Sequence, residues 1–134
     1  MNIESKHVII QAPIEEVFGF VSDLNHFEQL LPAERISEWE SREDYCSFKV
    51  QGTATIDLQK SESDANKRLL LSSGERSPFP FTLEVFFSTR PEGDIEVYQI
   101  MKGEINPFLK MMVEKPLQKL FDFIAERLEE VFNK

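Results

Sequence analysis

The chain has 134 residues, of which 41% are hydrophobic, and a formal net charge of −9. This length and apolar content fit one domain, residues 1–134, with a core of its own, and exclude a disordered chain. No apolar run approaches the roughly 20 residues of a membrane-spanning helix, so stable membrane insertion is not expected, and the acidity is expected to repel nucleic acid and anionic headgroups.

The first predicted elements are one strand and two short helices. The strand runs from Ile3 to Ala12 and is stopped by Pro13, which suits the first turn of a helix. Apolar residues then recur at helical spacings of three and four: Ile14, Val17, Phe18, Val21 and Leu24. A second short helical turn over 27–31 is expected to end at Pro32.

The middle of the chain predicts antiparallel strands. Four segments alternate apolar and polar residues, which is typical of a sheet with one buried face: residues 45–50, 54–59, 81–87 and 95–102. Ile36 and Trp39 have opposite parity, so that strand is expected to carry a bulge, or Trp39 to pack at an edge. The run 69–71 is apolar on both faces, which leaves its register open.

The last predicted element is a long helix that begins at Asn106 and Pro107. Pro116 lies inside its apolar stripe and is expected to bend it near Met112. Together the elements predict an α+β fold, in which a curved antiparallel sheet of about six to seven strands wraps around the C-terminal helix.

Local motifs then identify a resemblance. The segments Ile10–Phe18 (IQAPIEEVF) and Val21–Leu24 (VSDL) resemble the strand, Ala-Pro, helix and Ser-Asp turn of the START and birch-pollen-allergen superfamily, also called SRPBCC. Leu31-Pro32 resembles the end of its second helix. The pairs Asn106-Pro107 and Met111-Met112, followed by Pro116-Leu117, resemble the polyketide-cyclase-like branch.

The resemblance implies a helix-grip fold with a deep cavity between the sheet and the long helix. Members bind or carry sterols, lipids, quinones, plant hormones or polyketides, and others are cyclases, ring-hydroxylase subunits or chaperone activators. The fold does not choose among these. The ring-hydroxylase branch is excluded, because it needs more metal ligands than one cysteine and two histidines supply.

The residues that could carry chemistry have simpler explanations. His7 is expected to point outward from the first strand, and His26 to be a solvated turn residue. Cys46, which cannot form an internal disulfide, is expected to be a small buried hydrophobe. Glu38 and Glu40 share a strand face and are expected to be solvated. No catalytic residue, metal site or cofactor is therefore expected, and the lone cysteine, without a secretory signal, favours the cytoplasm.

The leading hypothesis is a non-enzymatic protein that binds a small hydrophobic ligand, such as a lipid, a quinone or a polyketide-like molecule. Gln99 is the one polar residue on an apolar strand face and could orient the ligand. The expected cavity residues are these: Phe48, Val50, Ile56, Leu58, Leu83, Val85, Val97 and Gln99 as walls, with Met112, Leu120 and Ile124 as a roof.

Two alternative functions stay open. The first is a cyclase or dehydratase that uses the same cavity, although no titratable residue can be placed there. The second is a protein-interaction module with a filled core, whose outward patch of Phe86, Tyr98 and Ile100 could also form a homodimer interface.

The unusual segment Gly74–Phe81 also has two possible interpretations. It is either a lip over the cavity mouth or a plain connection with Phe79 packed down.

Overall fold

A computed structural model describes residues 1–51 and 54–133. The strands are, in chain order, β1 (Asn2–Glu4), β2 (Val8–Ile10), β3 (Ile36–Arg42), β4 (Tyr45–Val50), β5 (Thr55–Asp64), β6 (Arg68–Ser73), β7 (Phe81–Thr89) and β8 (Ile95–Gly103). The helices are α1 (Ile14–Ser22), two 3₁₀ helices (Leu24–Leu30 and Ala33–Arg35) and α2 (Pro107–Phe132).

The strands form one antiparallel sheet in the order β1-β8-β7-β6-β5-β4-β3, and β2 also pairs with β8. With α2 packed on it, the sheet confirms the expected α+β helix-grip architecture. The sequence predicted one strand where the structure has β1 and β2. Glu4 pairs with Ile100 and Val8 with Val97, so three residues of the N-terminal segment face two residues of β8. This extra residue turns both Ile3 and Val8 inward despite their opposite parity.

Two uncertain strand registers are settled by pairing. The register of β3 against β4 shifts between Ser37 and Glu40, which confirms the expected bulge beside Trp39. Glu38 within it has a positive φ of 55°. In β6, Leu69 and Leu71 are fully buried and pair with β7.

The helices cover one face of the sheet. The 3₁₀ helix Leu24–Leu30 is the second short helix that the sequence predicted. Helix α2 begins where expected, with the Asn106 side chain accepting a hydrogen bond from the Leu109 N–H at 2.9 Å, and it continues through Pro116. Among the described residues, no helix is long and apolar enough to cross a bilayer.

Candidate ligand-binding site

The roomiest apolar cavity that we identify between the sheet and α2 has a volume of about 100 Å³. It lies where β5 and β7 begin and β8 ends, beneath the first turns of α2. Its lining is entirely apolar: Ala54, Ile56, Pro78, Phe79, Phe81, Met101, Leu109, Val113 and Leu117. Such a lining binds by apolar contact and contains no group that could act as an acid or base.

One wall of the cavity depends on a buried carboxylate behind the sheet. Asp57 is only 3% exposed, and its side chain accepts hydrogen bonds from the Gly74 and Arg76 N–H groups at 3.0 and 3.3 Å and from the Ser77 hydroxyl. These bonds fix the connection between β6 and β7. Because Asp57 fixes the connection that leads into Phe79, it positions that ring at the cavity.

Phe79 is half-buried and lines the cavity, with its ring centroid 5.7 Å from that of Phe81. A side chain at Gly103 would bring a Cβ within 3.2 Å of the Phe79 ring. The glycine therefore lets the ring lie close against the end of β8. Phe79 is thus both packed down and part of the cavity wall.

The roof of the cavity differs from the expected one. Leu109, Val113 and Leu117 follow one another at intervals of four residues and face the sheet. Met112 was expected in the roof, but it lies on the outer side of α2 with 61% of its surface exposed. The prediction failed because both sides of these first turns are apolar, so periodicity could not select the inner one.

The other expected wall residues do not line one deep cavity. Val85, Val97, Gln99 and Ile124 surround a void of only about 10 Å³. Val50, Ile56 and Leu120 border another of about 10 Å³. Phe48, Leu58 and Leu83 are buried but line none of these three spaces.

The deep cavity that the resemblance implied is thus divided into small spaces by core side chains. Phe27 and Leu30 of the 3₁₀ helix reach the void beside Val85, where the sequence-based hypothesis expected ligand. Of the expected residues, Ile56 alone lines the roomiest of the three spaces. Parity identified the inward side chains, but it carries no information on how far neighbouring elements fill the space between them.

Gln99 is the buried polar group beside the cavity system, with 4% of its surface exposed. Its side-chain N–H₂ group donates to the Phe121 carbonyl at 3.0 Å. Its side-chain carbonyl oxygen is buried and accepts no hydrogen bond from the described residues. An unpaired buried acceptor costs about 1–3 kcal/mol, so this oxygen is a ready partner for a hydrogen-bond donor.

The candidate catalytic side chains lie away from the cavity. Burial, reinforced by the nearby Asp57 charge, raises the pKa of Cys46 to about 12, so the thiol stays protonated and is a poor nucleophile. His26 bonds the Phe20 carbonyl through Nδ1 at 2.9 Å. His7 lies in the link between β1 and β2, not in a strand.

His7 is held on the outer side of the sheet. Its ring bonds Glu96 and Glu4 and stacks on Tyr98 at a centroid distance of 4.0 Å. The hydrogen bonds to Glu96 and then Glu4 raise the pKa of His7 above its ordinary value. The Tyr98 ring also stacks on Phe86 at 5.1 Å, so the outward patch proposed for a partner protein is half-buried and partly covered by His7.

Comparison with known proteins identifies the fold of this chain. No family model matches the sequence, and no curated protein matches it. Among solved structures, a START superfamily protein from Mycobacterium smegmatis is 14% identical with a TM-score of 0.68, over 97% of this chain and 98% of that chain.

Two further structures match over nearly their whole lengths. The protein XoxI from Bacillus cereus has a TM-score of 0.77 at 12% identity, over 99% of this chain and 96% of that one. A protein from Thermus thermophilus has a TM-score of 0.70 at 20% identity, over 97% of this chain and 95% of that one. The chain therefore has a START-like helix-grip fold.

Proposed function

We propose that this protein reversibly binds a small, largely apolar molecule in the cavity beneath the first turns of α2. The observation that supports this proposal most directly is the wholly apolar lining of that cavity. Apolar cavities with a few polar groups nearby are the usual form of small-molecule sites. The START-like fold supports the same reading, and lipids, quinones and polyketide-like molecules are the candidate classes.

The cavity volume sets a condition on the ligand. At about 100 Å³ it is smaller than the roughly 150 Å³ cavity that holds benzene in an engineered protein core. A lipid-sized or quinone-sized ligand therefore enters only if the cavity expands. The element best able to move is the first half of α2, residues 107–115, in which no residue is fully buried.

Gln99 supplies the polar end of this proposal. Its side chain lies two residues from Met101 on the same face of β8, so the two are about 7 Å apart along the strand. A ligand that displaces the flexible Met101 side chain would reach the free Gln99 oxygen. We therefore expect ligands with a hydroxyl or N–H group at one end to bind better than fully apolar analogues.

The test uses phenylnaphthylamine, an uncharged apolar probe whose fluorescence rises in an apolar site. Val113→Phe replaces a small side chain of the cavity lining by a phenyl ring. It is expected to weaken probe binding about tenfold or more, because the ring takes the space of the ligand. Val131→Phe is the matched control, since Val131 is also half-buried on α2 but lies outside the cavity lining.

Two results would contradict the proposal. One is that the parent protein binds no probe, and the other is that both valine variants bind it equally well. The first result, with an unchanged fold, favours the protein-interaction module. We infer no catalysis, because the cavity lining has no titratable side chain. We also propose a cytoplasmic location, since the chain has one cysteine and that cysteine is free.

A further inference from the structure

The first turns of α2 expose more apolar surface than any other described part of the molecule. Phe108, Met111 and Met112 have 72%, 80% and 61% of their surfaces exposed. Positions three and four apart lie on one side of a helix, so the three side chains form a single patch. Large contiguous exposed apolar surface of this kind marks an interaction site.

The charges around this patch are opposite to those of the molecule as a whole. Residues 107–119 contain three lysines and one glutamate, a net charge of +2, whereas the whole chain carries −9. Lys115 and Lys119 follow the patch on the same helix side, and neither forms an ion pair within residues 1–51 and 54–133. The basic stretch was not visible as a run in the sequence, because helical spacing brings the lysines together.

This charge arrangement does not serve the helix itself. The helix dipole favours acids at the N-terminal end and bases at the C-terminal end. Here residues 107–119 are basic, while residues 120–132 contain four acids and one arginine, a net charge of −3. An apolar patch rimmed by lysines instead suits an anionic lipid surface, to which juxtamembrane lysines are attracted.

We propose that the patch of Phe108, Met111 and Met112, with Lys115 and Lys119, docks this protein on anionic membranes. The helix would lie in the plane of the interface and insert only its apolar side chains. This is peripheral docking and needs no membrane-spanning segment. At physiological ionic strength the Debye length is about 8 Å, so the distant acidic surface is largely screened from the lipid.

A second copy of the chain suits the patch less well. In a symmetric dimer the same surface meets itself, which would bring two basic patches together. The position of the cavity also favours lipid. Leu109 and Val113, on the inner side of the same turns, line the cavity, so docking would bring the cavity within about one helix diameter, roughly 10–12 Å, of the membrane surface. The docking itself rests on exposure and charge and does not require the proposed ligand binding.

The test is flotation of the protein with vesicles of phosphatidylcholine, with and without a quarter of phosphatidylglycerol. We expect binding to the anionic vesicles that weakens at high salt. Phe108→Ser with Met111→Ser is expected to lower partitioning about fivefold or more. Phe123→Ser, an exposed aromatic on the acidic half of α2, is the matched control and is expected to have no effect.

Charge reversal gives an independent arm. Lys115→Glu is expected to weaken binding severalfold, since about 1 kcal/mol of attraction per lysine near the surface corresponds to about fivefold. Lys67→Glu, an exposed lysine between β5 and β6 at the opposite end of the molecule, changes the net charge equally and is expected to leave binding unchanged.

Three results would overturn the docking proposal: no vesicle binding by the parent protein, equal binding by the Phe108→Ser/Met111→Ser variant, or equal losses in the variants and their controls. A concentration-dependent dimer that the serine variant abolishes, without vesicle binding, would assign the patch to a second copy. Probe binding in vesicle-free buffer is expected to survive the serine substitutions, so failure of docking is distinguishable from failure of ligand binding.

Discussion

The two halves of α2 are attached to the molecule in different ways. All six buried residues of the helix follow Pro116: Leu117, Leu120, Phe121, Ile124, Ala125 and Leu128. In the first half, Leu109 and Val113 are half-buried and Phe108, Met111 and Met112 are exposed. The same helix thus provides a core element and a loosely packed cavity roof.

Polar contacts follow the same division. Asp122 accepts from the Lys6 N–H at 2.8 Å, Glu126 pairs with the Lys6 side chain, and Asn133 donates to the Ile9 carbonyl at 2.9 Å. Within residues 1–51 and 54–133, the stretch 107–117 makes no hydrogen bond outside α2 and its Asn106 cap. Its attachment therefore depends on apolar side chains alone, the half-buried Leu109 and Val113 and the buried Leu117.

Pro116 stands at the boundary between the halves. A proline has no N–H, so the Met112 carbonyl lacks its usual partner four residues later in the helix. One continuous helix can therefore have two local stabilities, one set by the core and one by a cavity that a ligand could fill.

Truncation of a side chain is expected to show the largest difference in stability between the two halves of α2. Leu128→Ala removes a side chain that is 3% exposed and is expected to lower the free energy of unfolding by about 2–5 kcal/mol. Met112→Ala, at a site 61% exposed, is expected to change it by less than about 0.5 kcal/mol. Urea denaturation measures both, and similar losses would contradict the division.

Enlarging a valine is expected to have different effects in the filled core and in the cavity. Val85→Phe enters a void of about 10 Å³ and is expected to cost about 1–3 kcal/mol, or about 3–15 °C in melting temperature. Val113→Phe enters the cavity of about 100 Å³ and is expected to change the melting temperature little. Equal losses in thermal unfolding would mean that the roof cannot adjust.

Replacement of Pro116 is expected to have a smaller effect on global stability and a clear effect on amide exchange in the first half of α2. Pro116→Ala restores the N–H that the Met112 carbonyl lacks, and alanine is the better residue inside a helix. We expect an increase in the free energy of unfolding that stays below the roughly 3 kcal/mol that separates proline from alanine inside a helix, together with slower amide exchange in the first half. A destabilised variant would indicate that the proline is needed for packing at the boundary.

The smallest expected effect is a pH dependence at the anchored half. His7 lies beside Lys6, which holds the second half of α2. Hydrogen bonds to Glu96 and then Glu4 raise the pKa of His7 above 6.5. The stabilisation is therefore complete below about pH 6.5 and is lost as pH rises through the folded pKa.

This contribution is expected to be below about 1 kcal/mol, because the His7 side chain is 39% exposed and solvent screens its ion pairs. Melting temperatures of the parent and His7→Gln, measured from acid to alkaline pH, are expected to converge above the folded pKa. A difference that grows with rising pH would contradict the sign of the shift.

Much of the fold was predictable from local patterns. Period-two alternation identified the buried positions of β7 and β8, and Asn106-Pro107 marked the start of α2. The division of the first strand was less visible, although the opposite parity of Ile3 and Val8 is a signal for an extra residue between them.

The site was predictable only in part. Gln99 could be found because one polar residue interrupts an apolar face. The cavity roof could not, because Leu109 and Met112 are both apolar and only the packed structure shows which one faces the sheet. Cavity volume is likewise a property of several elements together, and Phe27 filled space that the sheet pattern alone left free.

The most direct test of the two-part helix is amide hydrogen exchange across Pro116. We expect residues 121–128 to exchange near the rate of global unfolding and residues 111–113 to exchange much faster, since their opening breaks few buried contacts. Bound phenylnaphthylamine is expected to slow exchange in 111–113 selectively. Equal protection on both sides of Pro116, unchanged by the probe, would contradict a loosely held roof over a ligand cavity.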